Sequence, residues 1–315
     1  MKKTIPLLSI CIATYNRCNY IAQTLDSIIL NLNNQVEIVV IDGASTDKTE
    51  QVVSHYVNNY SNVYYYKLES KGGVDVDYDI AVQKSNGKMC WLFTDDDLMK
   101  KGSIEAVFQY INDDTNLIVV NAEVKDKNLV NILTTSQLKI KNDIIVQDFD
   151  INQLFVCTAQ YLSFIGGVII DRNLWLSREK KKYFGTEFIH LGVIFQDRIQ
   201  GRCVIISNPF ITIRFGNAQW SERSFQIWMY NWPKFIWSFP LITEYSKKMV
   251  VAEDPWKSYK NLLIHRLNGD YTYSIFKKYF CSADISIFWK INALIISLIP
   301  RAFLHNVHEI YLRNK

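Results

Sequence analysis

Short apolar runs rich in β-branched residues recur at 7–12, 36–41, 63–68 and 89–93, and each stops abruptly at a polar loop. Runs of this length without polar alternation read as strands buried on both faces. Between them the apolar residues fall at helical spacing: Ile21, Leu25, Ile28, Ile29 and Leu32 within 20–32, then the segments 46–57 and 74–84. Such alternation leads to an α/β fold with a mostly parallel sheet. Parallel neighbours need a crossover, and the crossover helices cover both faces. Ligands of such sheets bind beyond the carboxyl ends of the strands. The loops after the runs, at 13–17, 42–47, 70–73 and 95–97, are therefore where chemistry is expected.

A helix at 103–111 and strands at 117–121, 166–170 and 203–206 extend the pattern into a mixed sheet. Beyond 215 the character changes. Trp220, Trp228, Trp232 and Trp237 crowd one stretch, and mostly helical spacing follows to the end. The reading is a domain over 1–215, divided into halves at 1–124 and 125–215, with a helical C-terminal region over 216–315. A chain of 315 residues suits one large domain with an appendage. The apolar run 291–299 is too short to span a bilayer. Flanked by Trp289, Lys290 and Arg301, it reads equally as a helix lying in a membrane interface or as a buried docking helix.

The net charge of +4 is small for this length and forms no basic stripe, which excludes nucleic acid as the expected partner. The cysteines (Cys11, Cys18, Cys90, Cys157, Cys203, Cys281) lack the close pairing of zinc or dithiol sites and read as reduced core residues of a cytoplasmic protein. Two lysines before the first run imitate a short secretory signal, but 7–12 is the better buried strand.

The strongest chemical signal is Asp95-Asp96-Asp97, directly after the run 89–93. Adjacent carboxylates repel one another unless solvent or a cation intervenes. Mg²⁺ or Mn²⁺ suits such hard oxygen ligands and takes substrate phosphate oxygens in its remaining positions. The plainer reading is an acidic turn capping the next helix. In the loop after the second run, Ser45, Thr46 and Asp47 are explained by a turn and a helix cap. Asp42 is not so explained. It follows Val39-Val40-Ile41, where an acceptor-only carboxylate can take the N–H of a nucleobase, and Tyr15 offers a flat face to the same base or simply packs in the core.

The stretches Ser9-Ile10-Cys11-Ile12-Ala13-Thr14-Tyr15-Asn16-Arg17, Val39-Val40-Ile41-Asp42-Gly43-Ala44-Ser45-Thr46-Asp47-Lys48-Thr49 and Gly87-Lys88 leading to Trp91-Leu92-Phe93-Thr94-Asp95-Asp96-Asp97 arrive in one order. Together they resemble glycosyltransferase family 2, with its GT-A (Rossmann-like) fold. Lys71-Gly72-Gly73-Val74-Asp75 with Asp77-Tyr78, and Gly216-Asn217 with Trp220, resemble the abequosyltransferase-type branch that builds O-antigen polysaccharides. The resemblance implies an inverting, divalent-metal-dependent transfer from a nucleotide-diphosphate sugar to a glycan or lipid-linked oligosaccharide acceptor at the inner membrane face. By it Ala13, Tyr15, Arg17, Asp42, Asp75 and Asp95 line the nucleotide-sugar site. Asp95, Asp96 and Asp97 supply ribose and Mn²⁺ or Mg²⁺ contacts, with Asp96 the first choice for the metal. Two departures stand out. Thr94 replaces a frequent Asp, and Asp75 and Asp77 stand where relatives place basic or amide groups, so they touch base or sugar, or cap a helix.

Inverting transfer also needs a group to take the acceptor hydroxyl's proton. Glu187 and His190, three apart and on one face if helical, are the candidates, with Asp197 in reserve. The plain readings are an exposed glutamate and a satisfied structural histidine. Arg214, Asn217, Trp220 and Arg223 suggest a loop closing over diphosphate and sugar, with Asn217 and Trp220 as contacts to acceptor or donor. A nucleotidyltransferase would want a glycine-rich basic loop after the first strand, which Thr14-Tyr15-Asn16-Arg17 is not. The remaining rival is a catalytically silent glycan-binding or scaffold subunit, against which the intact acid triplet argues.

Overall fold

The computed structural model describes residues 5–217, 223–281 and 283–306. The chain forms two compact units. The first is Met1–Asn217 with Phe239–Ser246, and the second is Ala218–Ser238 with Lys247–Lys315.

In the first unit β1 (Leu8–Thr14), β2 (Val36–Asp42), β3 (Val63–Lys67) and β4 (Met89–Phe93) are the expected runs, separated by α1 (Ile21–Ile29), α2 (Thr49–Asn59) and α3 (Val74–Lys84). These four strands pair in parallel in the order β3-β2-β1-β4. β2 and β4 are buried at every position, as continuous apolar runs demand. α1 buries Ile21, Leu25 and Ile28, one face of the helical repeat. α2 starts three residues later than its apolar pattern suggests. The Asp47 side chain accepts from the Thr49 N–H (2.9 Å) and the Cys18 N–H (3.1 Å), which holds residues 46–48 in the loop.

The rest of the sheet comes from β5 (Leu98–Met99), α4 (Ser103–Phe108), β6 (Thr115–Lys125), β7 (Ile132–Thr134), β8 (Ile144–Gln147), α5 (Ile151–Thr158), β9 (Val168–Asp171), α6 (Arg172–Ser177), α7 (Ile189–Phe195) and β10 (Arg202–Arg214). β9 enters antiparallel between β4 and β6, and β10 runs parallel to β6, giving the order β3-β2-β1-β4-β9-β6-β10-β5. The strand expected over 166–170 begins only at Val168. Gly166 and Gly167 belong to a 3₁₀ turn whose Gly166 carbonyl accepts from the Trp91 indole at 2.8 Å. β5, β7 and β8 are too short or too exposed to show an apolar pattern.

The amino-terminal edge of the parallel strands carries a closed polar knot. Ser9 Oγ donates to Glu37 Oε1 (2.6 Å), Asn86 donates to Glu37 through its backbone (2.5 Å) and its amide (3.1 Å), and the Gly87 N–H donates to Ser9 Oγ (2.8 Å). A side chain at Gly87 would come within 2.5 Å of that hydroxyl, so glycine is required. The second unit has its own core of Phe225, Leu262, Tyr271, Phe276, Phe280 and Ala293, with Phe225 stacked on Tyr271 at 4.8 Å.

Candidate active site

At the opposite, carboxyl edge, the loops after β1 and β2 are laced together. Asn16, in the left-handed region at φ 54°, accepts through Oδ1 from the Thr46 N–H (2.8 Å) and donates its own N–H to Ser45 Oγ (2.8 Å). The Arg17 N–H donates to Thr49 Oγ1 at 2.9 Å. Burial works against the Asp47 carboxylate, but the bonds from Thr49 and Cys18 outweigh it and hold its pKa at about 2. These contacts fix where Tyr15 and Arg17 emerge from β1.

Asp42 ends β2 fully buried. Its Oδ1 accepts from the Ser45 N–H (2.6 Å) and its Oδ2 from the Tyr65 hydroxyl (2.6 Å). Asp77 is placed differently. It enters from the first turn of α3, is only 4% exposed, and lies against Gly43, where a Cβ would come within 2.7 Å of its Oδ2. Its Oδ1 is buried with no hydrogen-bond partner. Burial, reinforced by Asp42 and opposed by Lys71, raises its pKa to about 6. The Lys71 ammonium lies 3.7 Å from the Tyr15 ring centroid, over the face that the sequence assigns to a base. Ala13, beside Ile41 in the β1/β2 register, is partly open at the same edge.

The triplet after β4 does not act as three equivalent ligands. Arg17 Nη2 meets Asp96 Oδ2 at 3.1 Å and its Nε meets Asp95 Oδ1 at 3.4 Å. Asn217 Nδ2 donates to Asp96 Oδ2 at 2.8 Å, and Arg17 returns to the Asn217 carbonyl at 3.1 Å. Asp97 turns into the structure. Its Oδ2 accepts from Thr94 Oγ1 (2.5 Å) and its Oδ1 from the Arg214 N–H (2.7 Å), so the carboxylate ties the end of β10 to the end of β4. The Thr94 that replaces a frequent acid is thus the partner of Asp97. Burial lifts Asp95 to about 7, with Asp96 adding to it and Arg17 opposing; burial and Asp96 lift Asp97 to about 8. Asp96 is also raised by burial, with Arg17 opposing.

Among the described residues, no group of three or more His, Cys, Asp or Glu side chains is arranged to hold a metal ion. What remains for a cation is the pair Asp95 and Asp96. Their burial and elevated pKa values make a donor set that positive charge relieves, and Arg17 supplies that charge in this structure. A divalent ion completed by phosphate oxygens fits such a pair.

Arg214 is a strut rather than part of a mobile loop. It donates from Nε to the Asp96 carbonyl (3.0 Å), from Nη1 to the Lys127 carbonyl (2.8 Å) and from Nη2 to Gln23 (2.5 Å). Trp220 lies outside the described residues.

In the second half, Asp75 accepts from the backbone N–H groups of Glu187 (2.8 Å) and Ile189 (3.0 Å), which bolts the start of α7 to α3. The helical premise for Glu187 and His190 fails, since α7 begins at Ile189 and Glu187 precedes it in the left-handed region at φ 72°. His190 is 1% exposed, with Nε2 2.6 Å from the Leu162 carbonyl, and burial lowers its pKa to about 4. Its Nδ1 is buried without a hydrogen-bond partner, so one ring nitrogen is satisfied and the other is not. Asp197 is a surface residue, 69% exposed, and meets Arg178 at 3.6 Å. It lies past the far end of α7, about 10 Å along the helix from the Asp75 contact.

Comparison with known proteins decides the family. The model of glycosyl transferase family 2 matches residues 9–165, which spans every loop just described except the ends of α7 and β10. The chain belongs to glycosyltransferase family 2. It is therefore a sugar-transferring enzyme. The abequosyltransferase RfbV of Salmonella typhimurium is 26% identical over 234 residues, 69% of each chain. The glycosyltransferase GlyG of Streptococcus pneumoniae is 22% identical over 116 residues, 36% of this chain and 38% of that one. Among solved structures, S. aureus TarS 1-349 in complex with UDP superposes with a TM-score of 0.57 at 18% identity, covering 96% of this chain and 87% of that one. The mannosyltransferase PcManGT of Pyrobaculum calidifontis, in complex with GDP-Man and Mn²⁺, superposes with a TM-score of 0.54 at 14% identity, covering 95% and 87%. The family's GT-A arrangement of a mixed, mostly parallel sheet with flanking helices is the fold observed here.

Proposed function

We propose that this glycosyltransferase moves a sugar, with inversion, from a nucleoside-diphosphate sugar to a lipid-linked glycan acceptor at the inner membrane face, assisted by Mn²⁺ or Mg²⁺. One observation carries the reading: Asp95 and Asp96 stand at the carboxyl ends of β1 and β4 as a largely buried acid pair held by one cation, the Arg17 guanidinium. Asp95 and Asp96 would hold a divalent ion, which would supply charge neutralisation for the departing diphosphate. The Arg17 guanidinium at the same edge would pair with the phosphates, and Asn217 keeps Asp96 oriented. Tyr15 and Asp77 take the base. The ring offers the stacking face now under Lys71, and Asp77 gives an N–H of the base its unpartnered oxygen. Asp42 acts behind them, its carboxylate fixing Ser45 and Tyr65.

Glu187 is the base that takes the acceptor proton. A non-glycine residue at φ 72° costs on the order of 1 kcal/mol, and the Asp75 contact that holds it there sets the glutamate beside α3. His190 is committed to a carbonyl and Asp197 to the surface. The complexes of TarS with UDP-GlcNAc and of PcManGT with GDP-Man and Mn²⁺ support a nucleotide-sugar donor and a divalent ion.

Calorimetry with UDP, GDP, CDP and ADP, with and without Mn²⁺, tests this. One nucleotide is expected to bind with Mn²⁺, to lose that metal dependence in Asp96→Asn, and to bind more tightly as pH rises through about 7, where Asp95 gives up its proton. Absence of nucleotide binding under all these conditions overturns the reading of donor and metal.

A further inference from the structure

The helix Ile287–Leu298 in the second unit is apolar on the wrong side. Its buried residues, Ala293, Ile296 and Ser297, fall on one arc. At 100° per residue, Ile287, Phe288, Ile291, Ile295 and Leu298 fall within about 100° of one another on the opposite arc. They are 72%, 67%, 48%, 54% and 59% exposed. Scattered exposed apolar residues need no explanation, but five large ones in one stripe do.

We propose that this stripe docks the chain onto an anionic lipid surface, the helix lying in the plane of the interface. It extends the lipid-linked acceptor reading, and its failure leaves the nucleotide chemistry untouched. Charge separates a lipid partner from others. By sequence the second unit holds thirteen Lys and Arg against six Asp and Glu, a net of +7, whereas the whole chain carries +4. All of the molecule's positive excess therefore lies in the unit that exposes the stripe, and such a unit is drawn to anionic head groups. The stripe itself is aliphatic and phenyl, without the hydrogen-bonding groups that a protein interface needs every 100–200 Å² or so. Its length selects lying over spanning. Twelve residues give a helix of roughly 18 Å, against about 30 Å of hydrocarbon, and among the described residues no helix is long and apolar enough to cross a membrane. The helix is anchored for such a role. Ser286 caps its start by accepting from the Trp289 N–H (3.3 Å), and the Lys290 ammonium holds the Cys281 carbonyl (3.1 Å).

Flotation of the full chain with vesicles tests it. The chain is expected to float with equal parts phosphatidylglycerol and phosphatidylcholine, and at least about tenfold less with phosphatidylcholine alone. Phe288→Ser with Ile295→Ser should lower partition to the anionic vesicles by about tenfold or more, with nucleotide affinity in solution unchanged. Ile291→Asn with Leu298→Asn is a second pair, read the same way, should the first fail to fold. Failure of the wild-type chain to float, or flotation that both pairs leave unchanged, overturns the proposal. So does a wild-type dimer in sedimentation that either pair dissociates, which would make the stripe a contact between copies.

Discussion

Both edges of one parallel sheet bury carboxylates, but only the carboxyl edge, where Asp42 and Asp97 are fully bonded, also leaves others incompletely paired. At the amino edge Glu37, 4% exposed, has both oxygens taken by Ser9 and Asn86, and the knot closes on Gly87. At the carboxyl edge Asp77, equally buried, has an oxygen with no partner, and Asp95 has a single cation at 3.4 Å. An unpaired buried carboxylate costs stability, and burial lifts the pKa of Asp77 and Asp95 accordingly. The contrast teaches where the fold finishes its own bonding and where it leaves acceptors for a ligand.

A matched pair of Glu→Gln changes puts the contrast at risk. Glu187→Gln at the carboxyl edge should lower turnover by about a thousandfold, near 4 kcal/mol in the barrier, while shifting the unfolding midpoint little and leaving nucleotide affinity intact. Steady-state transfer assays beside denaturant titration read both, and unchanged turnover would remove Glu187 from the mechanism. Glu37→Gln should do the reverse. An amide there turns an NH₂ toward groups that already donate, at a cost of about 2 kcal/mol, and the folded fraction should keep its activity.

What the sequence made legible follows the same division. β1 to β4 and α1 were readable because continuous apolar runs and a helical repeat report burial directly. The loops after β1, β2 and β4 were readable because polar residues directly after buried strands lack a packing role. Arg17 as the counter-ion of Asp95 and Asp96 was not, since the pairing joins positions about eighty apart through the β1/β4 register. The role of Asp97 was hidden as well, because its partner is the backbone of Arg214, at the end of a strand more than a hundred residues on. Glu187 and His190 misled for a local reason. Their spacing invites a helix, but the Asp75 carboxylate holds the Glu187 N–H and delays α7 to Ile189. That bond crosses from α3, and nothing within 184–190 announces it.

Asp77→Asn sharpens the comparison, because stability and function should move in opposite directions. An acid whose folded pKa of about 6 lies above its unfolded value near 4 holds an extra proton in the folded state between those values. Stability is then greatest below about pH 4 and falls as pH rises to about 6, where the carboxylate ionises without a partner. Asparagine removes that charge. The variant should therefore be more stable than the parent by about 3 kcal/mol at pH 8 and close to it at pH 4, with nucleotide affinity reduced by about tenfold. Denaturant titrations at the two pH values decide it, and a destabilised variant at pH 8 would mean that Asp77 already has its partner.

The smallest expected effect marks the boundary of the site. Asp197 shares the carboxylate chemistry of the residues above but none of their burial, and its 3.6 Å contact joins a carboxylate 69% exposed to an Arg178 side chain only 9% exposed. Solvent reaches the carboxylate and screens this long contact, so Asp197→Asn should change stability by no more than about 1 kcal/mol and turnover by less than about twofold. A base must reach the acceptor hydroxyl within hydrogen-bonding distance, and the function proposed above puts that hydroxyl by Glu187, at the other end of α7. Loss of transfer in Asp197→Asn, with folding intact, would move the acceptor from the start of α7 to its end and transfer the role assigned here to Glu187.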